Sequence, residues 1–209
     1  TFHLEELAAP SPQEPVELMA AHLAPAELTE AEQLHDLLPA SWSGSILTVD
    51  VPAGQWLLHA VTLHRVGIRP LRPTGITPDP MSAEVMARFL NHITQRLAPA
   101  LGGRIGNAVR ALFSDSIEVH KANWTADFAG AFKERRGYDI RPYLASLLCP
   151  LPEDTPAWAD TCRRARYDYW RTVAELFNER FTTQFHSWCH AQGALSRCRP
   201  RGGQEDQEH

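Results

Sequence analysis

The sequence has 209 residues, of which 44% are hydrophobic and 22% charged, as in a globular chain of one or two domains and unlike a disordered one. Its net charge of −5 argues against a nucleic-acid binder, which carries a basic face, and against an anionic membrane surface as partner. No apolar run approaches the roughly 18 residues of a transmembrane helix.

Residues 1–44 are rich in Ala, Pro, Glu and Leu, and open with Thr1-Phe2-His3 rather than Met or a signal-peptide pattern, so the start reads as other than a natural translation start. Glu17–Ala21 and Thr29–Leu38 read as short helical pieces, the second with Thr29 and Glu32 as a capping box. Ile46–Val51 and Trp56–His64 read as strands around the Pro52-Ala53-Gly54 turn, and 67–80 as a loop. Ser82 caps a helix to about Leu97 with Val85, Met86, Phe89, Leu90 and Ile93 on its apolar face. Val109–Phe113 is a short strand. Thr125 opens a helix stopped by Gly137, and 160–191 form a long helix ended by Gly193, with Ala194–Arg197 beginning another strand. Strands alternating with helices predict an α/β fold with parallel strands. Cys149, Cys162, Cys189 and Cys198 form no Cys-x-x-Cys pair and read as free, mostly buried thiols.

The stretch that carries chemistry is Phe113-Ser114-Asp115-Ser116-Ile117-Glu118. Acidic residues just past the C-terminal end of a strand stand where α/β folds place their active sites. A Glu there acts as a general acid if burial raises its pKa, and Asp115 would hold a substrate hydroxyl or orient a neighbour. The alternative is that Asp115 and Ser116 cap the next turn and Glu118 is solvated. Trp124 reads either as a sugar platform or as a core anchor, and Asn123 as a donor to a sugar hydroxyl or a cap at Thr125. His186 and His190, with Cys189 between, have metal-ligand spacing, against a polar helix face. Lys133–Arg136 reads as a solvated helix face, Arg136 and Asp139 as a pair around Gly137, and Phe132, Tyr138 and Tyr143 as core. Gly102–Gly106 lacks the preceding strand of a phosphate loop, and no Gly-x-Ser-x-Gly element is present.

Four blocks in order, Asp115–Glu118, Asn123–Phe128, Phe132–Asp139 and Pro142–Leu144, resemble the α-L-rhamnosidases of glycoside hydrolase family 106. Val51–Trp56, Ser82–Phe89, Tyr167–Trp170 and Trp188–Gly193 extend the resemblance over about 45–198. The resemblance implies an inverting, calcium-dependent hydrolase of terminal α-L-rhamnose on a (β/α)8 barrel with accessory β domains. Glu118 would be its acid and Asp115 a further catalytic candidate, while Asn123 and Trp124 would bind a rhamnose-bearing carbohydrate. The calcium ligands are not assigned.

A whole barrel takes about 250 residues, so the expected fold here is a partial (β/α)8 barrel with outer helices. It would span 45–198, after an N-terminal helical or loop segment, 1–44, and before a disordered tail, 199–209. After Arg197 the chain departs from the family pattern, which reads as a truncation or a change of frame. Rival readings are a catalytically inactive carbohydrate-binding fragment and a barrel glycosidase with another sugar specificity. Exposed barrel edges predict self-association.

Overall fold

The computed structural model describes residues 2–3, 16–37, 42–43, 46–64, 78–115, 122–149 and 155–198. In chain order the strands are β1 (Phe2–His3), β2 (Val16–Pro25), β3 (His35–Asp36), β4 (Trp42–Ser43), β5 (Ile46–Leu47), β6 (Trp56–His64), β7 (Ala111–Ser114) and β8 (Leu195–Cys198). The helices are α1 (Ala83–Leu97), α2 (Phe128–Arg136), α3 (Leu144–Leu148), α4 (Pro156–Phe177) and α5 (Gln184–Ala191). The chain divides into two compact units, one of residues 1–66 and 129–170, the other of 67–128 and 171–209.

In the first unit the strands are antiparallel, where the sequence predicted parallel pairing. β5 lies between β1 and β4, and β2 lies between β3 and β6. The larger sheet runs from Val16↔His64 to Pro25↔Trp56, with a register shift between Leu18 and Ala20. The helix expected at Glu17–Ala21 is therefore a strand. Its Glu, Leu, Met and Ala favour helix, but propensity is a weak prior that pairing along a whole strand overrides. No alternation flagged it, because β2 is covered on both faces. Ala21 and Leu23 pack with Leu37, whereas Ala24 packs with Leu28, Trp158 and Cys162. A strand buried on both sides reads as a continuous apolar run. The second expected helical piece shrinks to a 3-10 turn, Ala31–Gln33, in which the Gln33 side chain, rather than Glu32, completes the capping box with Glu30.

The motif from Phe132 to Tyr143 builds the rest of this unit. Phe132, Tyr138, Tyr143 and Trp158 form an aromatic ladder with ring centroids 5.0, 5.6 and 5.7 Å apart. Tyr138 donates its hydroxyl to Asp168 at 3.0 Å, and burial together with that bond pushes its pKa up. Gly137 sits at φ 82°, in the left-handed region that ends α2. The turn pairs differently from the expected Arg136–Asp139 contact: Asp139 receives Arg141 at 2.6 Å, and Arg136 approaches Asp168 at 3.9 Å.

In the second unit Ser82 caps α1 as expected, its Oγ accepting from the Val85 N–H at 3.3 Å. Met86 and Leu90 face inward, while Phe89 is 43% exposed. α4 continues through a π-helical segment, Asn178–Thr183, into α5. The long helix is thus present with a local change of winding. Leu90 of α1 packs against Phe185 and Cys189 of α5, with Ile93, Trp188 and Leu112 around them. The Trp188 indole N–H closes the cluster by donating to Thr94 at 2.9 Å. All four thiols are free; Cys162 and Cys189 are buried, Cys198 is half-buried and Cys149 exposed. The chain is a mixed α/β protein with one parallel strand pair among the described residues, β7 with β8.

Candidate functional site

The parallel pair positions the candidate site. Ala111, Leu112, Phe113 and Ser114 stand opposite Leu195, Ser196, Arg197 and Cys198. Period-two alternation gives the pair two faces. Leu112 joins the core of α1 and α5, and Ser196 shares a 2.7 Å hydrogen bond with His186 Nδ1 of α5, so this face is covered by helix. Ser114 and Cys198 share it by parity, and Ser114 hydrogen-bonds the Cys198 thiol, whose pKa burial raises. The opposite face carries Phe113 and Leu195, 52% and 55% exposed, and Arg197, whose guanidinium carbon lies 5.3 Å from the centroid of the Phe113 ring.

Asp115 follows β7 directly and is exposed. It lies two residues past Phe113, at the C-terminal end of the strand. Its carbonyl accepts from Ser114 Oγ at 3.5 Å. Glu118, the expected acid, lies outside the described residues.

Asn123 is half-buried. Trp124 is half-buried with its ring centroid 4.6 Å from that of Phe128, which is fully buried; the geometry favours its core-anchor role. The same motif holds two residues to which the sequence assigned no functional role. Thr125, also buried, donates its hydroxyl to Asp79 at 2.7 Å. Asp79 also accepts the Met81 N–H at 2.8 Å. Asp127 takes both arms of the Arg180 fork, at 2.7 and 2.8 Å, while Arg180 also donates to the Met81 carbonyl. This clamp raises the Arg180 pKa through its hydrogen bonds to Asp127. Asp79 and Arg180 are 101 positions apart, and no local pattern marks them as neighbours of one segment.

His186 and His190 do lie together, ring centroids 4.4 Å apart, but Cys189 points into the core, where burial pushes its thiol up to about 11. Among the described residues no group of three or more His, Cys, Asp and Glu is placed to hold a metal ion. His186 and His190 thus belong to an exposed helix face. No helix among the described residues is long and apolar enough to cross a membrane.

Parallel strands backed by helices, with an acidic segment leaving a strand's C-terminal end, are the layout on which α/β proteins build clefts. The family model described as α-L-rhamnosidase, glycoside hydrolase 106, matches residues 8–203. The chain belongs to that family. It is similar to the structure of a rhamnosidase from Novosphingobium sp. PP1Y, with a TM-score of 0.63 and 26% identity, over 82% of this chain and 17% of that one. It is also 29% identical over 165 residues to a protein of Formosa agariphila provisionally named a β-glucuronidase, a match covering 77% of this chain and 14% of that protein. The chain thus spans less than a fifth of the length of either relative.

Proposed function

We propose that this chain is part of the catalytic portion of a glycoside hydrolase that releases terminal α-L-rhamnose with inversion. The observation that carries the reading is the family match over 8–203, which includes the acidic segment leaving β7. Glu118 would protonate the glycosidic oxygen as its bond to the anomeric carbon breaks. A second carboxylate, roughly 6.5–9.5 Å away, would take a proton from the water attacking the opposite face. Asp115 would orient the acid or hold a sugar hydroxyl. Asn123 and Trp124 would border the sugar, Trp124 mainly by bracing the segment against Phe128.

The finer fold reading is a partial (β/α)8 barrel, expected over 45–198 after 1–44 and before a tail, 199–209; because β5 and β6 lie in antiparallel sheets with strands of 1–44, the barrel is proposed for the part that holds β7 and β8. It is supported by β7 and β8 being parallel neighbours with helices between them in the chain, the connection a βα unit makes. Calcium remains part of the proposal, as a property of the family. The described residues offer it no ligand cluster, so its oxygen ligands would come from elsewhere and no step here passes through it. The Formosa relative's name favours a second reading, in which the same machinery acts on a uronic acid glycoside.

The test is hydrolysis of an aryl α-L-rhamnoside and an aryl β-D-glucuronide, with calcium and with chelator, by this chain and its Glu118→Gln variant. Rhamnoside turnover lost in the variant is the expected result. Turnover of the glucuronide alone would replace the sugar assignment. Turnover of neither would refute this chain's catalytic sufficiency.

A further inference from the structure

We propose that Arg197 is a recognition residue of this site and that it takes the carboxylate of an acidic sugar unit in the glycan. The proposal rests on the reading that the β7–β8 strand ends form a glycan site, and it adds the chemical class of a second sugar that the site accepts.

Register and parity carry the first step. Arg197 stands directly opposite Phe113, on the face away from α5, because Leu112 and Ser196 commit the other face to the helix side. Its guanidinium lies over the Phe113 ring, 5.3 Å from the centroid. An aromatic face attracts a guanidinium at this distance and leaves N–H groups of the fork for a further partner.

The second step is what those groups lack. Several arginines turn to the protein's own carboxylates, Arg88 to Glu84, Arg141 to Asp139, Arg171 to Glu175 and Arg180 to Asp127, and Arg104 and Arg166 to backbone carbonyls. Among the described residues Arg197 makes no such pair; its contact is the Phe113 ring. A planar fork that no carboxylate among the described residues takes matches a planar carboxylate in two parallel hydrogen bonds, which a sugar hydroxyl offers less well.

The third step is electrostatic. Asp115 follows the strand end directly and the chain is net negative. A uronate would be repelled from such a strand end unless a cation of fixed position offset the charge. Arg197 is that cation.

The experiment is a chemical-shift titration of the ¹⁵N-labelled chain with sodium D-glucuronate, D-glucose and methyl α-L-rhamnoside. Glucuronate is expected to shift the amides of Phe113–Asp115 and Leu195–Cys198 and to bind about tenfold more tightly than glucose. Arg197→Met should remove that tenfold preference and Arg197→Lys should keep part of it, with added salt weakening the parent but not the Met variant. Unchanged amide shifts elsewhere would show that the Met variant remains folded. Equal binding of glucuronate and glucose, or glucuronate binding retained in Arg197→Met, overturns the proposal. If methyl α-L-rhamnoside shifts these amides and glucuronate does not, the proposal fails while the rhamnosidase reading stands. If no sugar shifts them, both the proposal and the placement of the glycan site fail.

Discussion

Gly106→Ala is a severe test of the packing of the second unit. A Cβ on Gly106 would fall 2.3 Å from the Gly193 carbonyl oxygen, 2.4 Å from its carbon and 2.6 Å from the Gln192 oxygen. All three are backbone atoms, so no side chain can swing aside. The turn that holds them is itself tied down. Gly193 donates to His190 and Ala194 to Cys189, both at 2.9 Å, and the Arg104 guanidinium reaches over to the Ala191 carbonyl at 3.1 Å. Relief requires moving the two backbones apart by about 1 Å, which core overpacking data place at about 1–3 kcal/mol. The move also strains the Gly106 N–H to Gln192 carbonyl bond of 2.9 Å, worth about 0.5–1.5 kcal/mol. Reduced freedom of the unfolded chain returns about 0.4–1 kcal/mol. The expected net loss is centred on about 2 kcal/mol, read as a lower urea midpoint by tryptophan fluorescence. Gly130→Ala is the control: it lies within α2 with nothing within 4 Å of the added carbon, and should stabilise by about 0.5–1 kcal/mol. A Gly106→Ala variant within 0.5 kcal/mol of the parent would refute the close approach of the two glycines.

Acidification should weaken the first unit. Cross-strand register places His22 beside Asp36 on one side and His59 on the other. Burial lowers the pKa of His22 from 6.5, with Asp36 and Asp139 opposing and His59 and Arg141 assisting, and burial lowers that of His59. The native state refuses protons that the unfolded chain accepts, so this contribution is complete above pH 6.5 and is lost as pH falls below it toward the native values. Urea midpoints from pH 8 to 5 should trace that fall, and the double variant His22→Gln, His59→Gln should flatten it; a parent curve flat between pH 7 and 5 would contradict the burial. The exposed Phe113 and Leu195 face should drive weak self-association, seen as a concentration-dependent sedimentation coefficient, and a monomer of constant mass would argue against it.

The second unit was legible where its periods are clean. Ser82 and the 3.6-residue spacing of Met86 and Leu90 placed α1, and the apolar run before Asp115 placed β7. In the first unit β6 was legible with its bounds, Trp56–His64, whereas β2 was not, because it is apolar on both faces and its residues favour helix, so only its partner β6 decides its state. The family motifs were legible as motifs, but their roles divide in the structure. Phe128, Phe132, Tyr138 and Tyr143 build packing, and Asp127 serves a clamp with Arg180. That Asp115 stands just past Phe113 and Ser114 follows from chain order alone. That Arg197 joins them depends on a register between distant segments, which no local pattern encodes.

That register sets a timetable for synthesis. Ala111 and Leu195 are 84 positions apart, and every helical turn from Phe128 to Ala191 is made between them. At bacterial or eukaryotic elongation speeds of about 5–20 residues per second, β7 leaves the ribosome roughly 4–17 s before its partner exists. Closing so long a loop for four residue pairs is entropically costly, so β7 docks on helix before it pairs with a strand. During that interval Phe113 lacks Arg197 above it and β8 beside it. The nascent chain therefore carries β7 without β8 through about two-fifths of the synthesis of these 209 residues, and a chaperone that binds short apolar strands would find its substrate there.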